Sequence, residues 1–178
     1  MYTEYEWKIL DIDISAMKQK LRELGATYIG EKTFRRYVYD IHPPVYEKRI
    51  RLRTDWEKTT LTYKHIIDER AIDWVKEWEI IVDSFDTTNA LLEQLWYTPK
   101  CYQENRRESY VLENCQIEID HRPLIPPYME IEWPNKESVL ATFDKFDKKP
   151  ADITSENTTQ IYTHYGIDLE SIAHLSFK

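Results

Sequence analysis

TEYEWKIL, residues 3–10, alternates Glu4, Glu6 and Lys8 with Tyr5, Trp7 and Ile9. Successive side chains of a β-strand point to opposite faces, so one strand would carry three charges on one side and three large apolar groups on the other. The pattern recurs along the chain. KRIRLR (48–53) sets Arg49, Arg51 and Arg53 against Ile50 and Leu52, and LTYK (61–64) sets Thr62 and Lys64 against Leu61 and Tyr63. In NRRESY (105–110), Asn105, Arg107 and Ser109 lie away from the face of Tyr110. QIEIDHR (116–122) puts Gln116, Glu118, Asp120 and Arg122 opposite Ile117 and Ile119, and YMEIEW (128–133) puts Glu130 and Glu132 opposite Met129, Ile131 and Trp133.

Eight alternating stretches, at about 3–10, 34–40, 48–54, 58–66, 73–82, 105–112, 116–122 and 128–133, predict an antiparallel sheet that can close on itself. Helical spacing intervenes. Asp13 precedes ISAMKQKLREL (14–24), whose Met17, Leu21 and Leu24 share one face before Gly25 ends the run. Asp86 heads a second amphipathic run, TTNALLEQLW, and 136–147 and 155–165 supply two further helical segments. Such helices would cover the apolar side of the sheet.

The composition excludes several function classes. A chain of 178 residues without repeats or Gly/Ser linkers reads as one domain over 1–178. Its apolar runs are too short to cross a bilayer and its N-terminus is acidic, so the expected setting is soluble and cytoplasmic, with no membrane partner. A net charge of −8 argues against broad nucleic-acid binding. Cys101 and Cys115 form neither a disulfide framework nor a CxxC metal spacing, and the histidines form no HxxxH pair for zinc. With only three glycines, neither GxGxxG nor a P-loop can be written, so a polyphosphate would have to be held by side chains.

The charges are also sorted by strand. Carboxylates gather at 4–6 and 118–132, and guanidiniums at 49–53. Like charges two residues apart on a strand face lie about 7 Å apart and repel by roughly 2.4 kcal/mol at an effective dielectric near 20. Inside an enclosed sheet, Glu4 with Glu6 and Glu130 with Glu132 therefore call for cations. Oxygen-only clusters suit Mg²⁺ or Mn²⁺. The arginines in turn call for an anion with several oxygens, and a metal-bound polyphosphate meets both demands.

These motifs resemble the CYTH family, the triphosphate tunnel metalloenzymes, which includes class IV adenylate cyclases and thiamine triphosphatases. EYEWK matches its ExExK signature, and RIRLR, TLTYKH, KEWEI, NRRESY, IEID and YMEIE follow in family order over roughly residues 2–166. The resemblance implies an α+β fold, an eight-stranded antiparallel β-barrel tunnel with helices packed outside and charges lining the interior. It implies that Lys8, Arg49 at the strand entrance, Arg51, Arg53, Lys64 and Arg107 bind a triphosphate-containing small molecule. Glu4, Glu6, Asp120, Glu130 and Glu132 would hold or orient Mg²⁺ or Mn²⁺, with Glu6 or Glu132 activating water. Glu77 and Glu79 fit the family's middle ExE, as ion-pair partners or lumen groups, and Glu118 shares the lumen face. Asn105 stands where some members carry a basic residue, and Tyr162 or Tyr165 lies near the tyrosine of the closing helix. The expected activity is metal-dependent hydrolysis of a linear triphosphate: tripolyphosphate, a nucleoside triphosphate or thiamine triphosphate. The alternatives are an adenylate cyclase converting ATP to cyclic AMP and pyrophosphate, or a binding module without turnover. The resemblance allows a homodimer.

Overall fold

In the computed structural model, which describes residues 2–45, 47–66, 75–133, 135–147 and 153–178, the opening stretch forms β1 (Tyr2–Ile9). It is followed by α1 (Ile14–Glu23), β2 (Thr27–Asp40), β3 (Lys48–Thr54), β4 (Thr59–Ile66), β5 (Val75–Val82), α2 (Phe85–Gln94) and β6 (Cys101–Leu112). The chain continues through β7 (Cys115–His121), β8 (Tyr128–Trp133), α3 (Lys136–Asp144), β9 (Ile153–Thr154), α4 (Thr158–His164), a 3₁₀ turn (Leu169–Ser171) and β10 (His174–Leu175).

Eight strands pair antiparallel in the order β6-β2-β3-β4-β5-β1-β8-β7, and the β6–β7 pairing returns the path to its start. The narrowest seam is β1–β5, from Tyr2↔Glu77 to Glu4↔Val75, and β9 takes up the adjoining edge of β1 at Lys8 and Ile9. β10 adds a short parallel pairing on β6.

The apolar side of this sheet faces outward. Ile117, Ile119, Met129 and Ile131 are wholly buried beneath Met17 and Leu21 of α1 and Val139 and Phe143 of α3. Trp7 packs edge-on against Phe143 with ring centroids 6.1 Å apart. α2 covers β2 and β3 by placing Phe85 and Leu92 on Tyr39 and Leu52. Ile161 and Tyr162 of α4 join Cys101 and Tyr128 in a third cluster at one end of the barrel. The helices do not cover the whole ring, since Trp78 and Ile80 on the outer face of β5 stay largely exposed. No helix among the described residues is long and apolar enough to cross a membrane.

Local chemistry explains most element boundaries. Asp13 caps α1 by accepting from the Ala16 amide at 2.9 Å, and Gly25 turns the chain away with φ of 79°. α2 starts earlier than the sequence suggested: Ser84, not Asp86, is its cap and accepts from the Thr87 amide, which lets Phe85 enter the core. Asn157 and Gln160 form a reciprocal capping box that delays α4 to Thr158. α3 ends at Asp144, three residues short of the expected stretch. β2 and β6 are longer than their clean alternation, reaching Thr27 and Cys101; on β2 a register shift between Tyr28 and Gly30 breaks the two-residue period. Residues 73 and 74 of the fifth predicted stretch lie outside the described residues.

Candidate functional site

The inward faces of the strands enclose a cavity of about 490 Å³. Arg36 of β2 and Arg49, Arg51 and Arg53 of β3 line one wall, joined by Lys64 of β4. Glu6 and Lys8 of β1 and Glu130 and Glu132 of β8 line another, with Glu77 and Glu79 of β5 and Arg107 of β6 between the walls. Strand parity puts these groups inside: Glu6 and Glu132 are directly paired residues on adjacent strands, as are Lys8 and Glu130, Arg49 and Lys64, and Arg107 and Asp120.

On the carboxylate side, the fully enclosed Lys8 ammonium pairs with Glu6 and stands 3.8 Å from Glu130. Burial pushes the Glu6 carboxyl up, but Lys8, Lys64 and Arg107 outweigh it and hold the group below its ordinary value. Glu130 is shifted the other way. Burial dominates there, and the neighbouring Glu6 and Asp120 charges add to it against Arg107 and Lys8. Arg107 donates to Asp120 through Nε at 3.1 Å and Nη2 at 2.8 Å, and to Glu130 at 2.6 Å. Burial disfavours the Arg107 charge, yet Asp120 and Glu130 raise its pKa well above the ordinary value.

On the arginine side, Arg51 lies 3.7 Å from Glu77 and 3.6 Å from Glu79, and Lys64 pairs with Glu77. Glu79 also accepts from the Thr62 hydroxyl at 2.9 Å. Glu77 and Glu79 are thus ion-pair partners and lumen groups at once. Arg53 sits over the Phe34 ring at 4.9 Å, and the Arg51 charge together with burial lowers its pKa to about 10. A cation depressed by another cation is a group electrostatically prepared for an anion. Arg49 lines both the main cavity and a smaller cleft of about 100 Å³ beside Thr158 and Leu169.

The five carboxylates expected to serve a metal do not share one environment. Asp120 has no exposed surface and is taken up by Arg107, Arg122, Asn105 and the Tyr128 hydroxyl. Glu118, also buried, accepts from Ser109 at 2.7 Å and from Gln116. Glu4 lies on β1 opposite Val75, and its side chain is outside the described ones. Among the described residues, no three His, Cys, Asp or Glu side chains converge as a ready-made cage. The cross-strand pair Glu6 and Glu132 nevertheless fits Mg²⁺ or Mn²⁺ in donor chemistry, because Mg²⁺ keeps several waters and commonly takes one or two carboxylates plus substrate phosphates.

Sequence reasoning placed Arg122 on the lumen face without assigning it to the site, and it missed Arg36 altogether. Arg36 follows a second arginine in FRRYVYD, and the polar and aromatic mixture there hides which of the two points inward. β2 decides it: Arg35 faces out, stacked on Phe85 at 4.2 Å, and Arg36 faces in. Where Asn105 leaves β6 without a second inward cation, Arg36 of β2 and Arg122, just past the end of β7, supply positive charge to the cavity. Of the two tyrosines near the closing helix, Tyr162 is the enclosed one, donating to the Pro123 carbonyl at 2.8 Å, and Tyr165 donates to Asp11.

A barrel with its greasy surface outside and ions within defines a β-tunnel, the architecture implied by the order of the sequence motifs. Solved structures share this fold. A Pyrococcus horikoshii protein matches with a TM-score of 0.74 at 22% identity, over 86% of this chain and 96% of its own. A conserved protein of Pyrococcus furiosus matches with a TM-score of 0.76 at 18% identity, over 88% and 98%. HpAC1 of Hippeastrum, which carries an adenylyl cyclase name and is described as having a dominant triphosphatase activity, matches with a TM-score of 0.64 at 16% identity, over 93% and 96%. No protein-family model and no curated protein matches the chain.

Proposed function

We propose that the chain is a metal-dependent hydrolase of a linear triphosphate bound inside the tunnel. The observation that carries this reading is the division of one cavity into an arginine wall and a carboxylate wall, at a volume typical of small-molecule sites, roughly 300–1,000 Å³. Arg49, Arg51, Arg53, Lys64 and Arg107 would bind the phosphate oxygens, and Lys8 would bridge toward Glu6 and Glu130. The activity described for HpAC1 is consistent with this assignment and belongs to that protein.

Glu6 and Glu132 would hold the Mg²⁺ or Mn²⁺, with Glu4 on the same strand face and Glu130 and Asp120 orienting the neighbouring cations. When bound, the ion neutralises phosphate oxygens and makes a coordinated water more acidic. The arginines hold the chain so that water oxygen attacks the terminal phosphorus in line. The bond to the bridging oxygen breaks, its electron pair leaves with the remaining diphosphate, and the water proton passes to a carboxylate. Glu6 or Glu132, the two carboxylates paired across β1 and β8, would take that proton. Preorganised charge carries most of the barrier lowering.

The test is a substrate panel of tripolyphosphate, ATP and thiamine triphosphate with Mg²⁺ and with Mn²⁺, assayed for orthophosphate and for cyclic AMP with pyrophosphate. Orthophosphate as the dominant product supports hydrolysis. Cyclic AMP as the dominant product would replace it with cyclisation, and tight binding without product would leave a binding module.

A further inference from the structure

We propose that Arg36 and Arg122 form a distinct anion subsite that takes the doubly charged terminal phosphate of the substrate and so selects ligands with a free phosphate end. This rests on the triphosphate reading above and goes beyond it by assigning two residues and a chemical end of the ligand.

Both guanidiniums are nine-tenths or more enclosed and both line the cavity. Arg36 donates through Nε to the Gln103 amide oxygen at 2.8 Å, and among the described residues it has no carboxylate within ion-pair distance. Arg122 donates through Nε to the Tyr128 hydroxyl at 2.6 Å and through Nη2 to Asp120 at 3.2 Å, which leaves Nη1 buried with no partner. Asp120 cannot neutralise both, because its single charge is already shared with Arg107. Burial first, then the Arg122 and Arg51 charges, push the Arg36 pKa well below its ordinary value. Among the described residues, Arg36 is thus an enclosed cation without an ion-pair partner beside Arg122, whose Nη1 has no acceptor, and a terminal phosphate supplies two charges and three acceptor oxygens to both.

The barrel register places Arg36 opposite the Glu6–Glu132 pair. β1 and β2 lie four strands apart in either direction round the ring. From Glu6 the pairing runs through Glu132, Gln116 and Val111 to Thr27 on β2. The other way, Tyr2 leads through Glu77, Lys64 and Arg49 to Asp40, so Glu6 leads past that end of β2. The two routes bracket Arg36, which stagger sets across the lumen from Glu6. Arg36 also lines the smaller cleft of about 100 Å³, which shares Arg49, Arg51 and Lys64 with the main cavity.

The experiment compares linear tripolyphosphate, which has terminal phosphates, with cyclic trimetaphosphate, which has none. Calorimetry with chelator present reads binding without turnover. Wild type is expected to prefer tripolyphosphate, and Arg36→Gln to weaken it at least about 10-fold, the loss of one charge-assisted hydrogen bond, while trimetaphosphate affinity stays the same. Arg36→Lys should restore part of the loss. Without ligand, Arg36→Gln should unfold no earlier than wild type, because it removes an unpaired buried charge. Equal weakening of both anions, or no weakening, overturns the subsite even if hydrolysis proceeds. Discrimination that survives without any hydrolysis in the metal-supplemented substrate panel overturns the enzymatic reading and leaves the subsite standing, whereas a wild type that binds neither anion with chelator present overturns the subsite and leaves the enzymatic reading to that panel.

Discussion

Arg107 grips Asp120 with two hydrogen bonds, at 3.1 and 2.8 Å, on paired strands where the carboxylate has no exposed surface. Asp120 is therefore the anchor of the arginine cluster. Removing it would leave the enclosed Arg122 without its carboxylate and Arg107 dependent on Glu130. Asp120→Ala is expected to cost about 3–5 kcal/mol of unfolding free energy, read by urea denaturation. A loss below about 1 kcal/mol would show that the cluster does not depend on it.

The same carboxylate sets an acid response. Burial raises its pKa, but Arg107 and Arg122 outweigh burial and hold it far below the ordinary carboxylate range. The unfolded chain takes up this proton near pH ~3.9, before the folded chain does. Its stabilisation is complete above that value and is lost as pH falls toward the depressed folded value. The difference in unfolding free energy between wild type and Asp120→Asn should stay constant from about pH 5 to 7 and shrink below about pH 4. A difference that widens in acid would reverse the sign assigned to Asp120.

Neighbouring residues of β8 should fail in opposite ways. Ile131 is wholly buried under the outer helices, and Glu132 lines the cavity. Ile131→Ala is expected to cost about 2–5 kcal/mol of stability. Glu132→Gln should leave the unfolding midpoint nearly unchanged and abolish turnover. Activity assays and thermal melts on the two variants distinguish these outcomes, and a stability loss for Glu132→Gln as large as that for Ile131→Ala would contradict the inverted barrel.

Chelation is expected to stop hydrolysis without altering the far-ultraviolet circular dichroism, because strand pairing and the outer core hold the barrel. Glu6→Gln should lower turnover about 100-fold or more at limiting Mg²⁺ and recover in part at high Mg²⁺, since on the proposed reading it removes one oxygen ligand. Equal turnover at every Mg²⁺ concentration would remove Glu6 from the metal site.

The period of two was enough to sort Glu6, Lys8, Arg51, Arg53, Lys64, Arg107, Glu130 and Glu132 onto one side of their strands, because parity is a local property of an extended chain. The helices at Asp13 and after Ser84 were legible from caps and spacing, to within two residues at the second start. Arg36 was not legible, since adjacent arginines carry no mark of which one turns inward.

The sequence by itself determined which groups share a face. It did not determine which faces meet: that Asp120 would be enclosed by arginines, that Glu6 and Glu132 would be partners, or that Arg36 would lie across from Glu6. Those relations join residues far apart along the chain, and they are fixed only when strand register and barrel stagger close the ring, because stagger is a property of all the strands together and of no one strand.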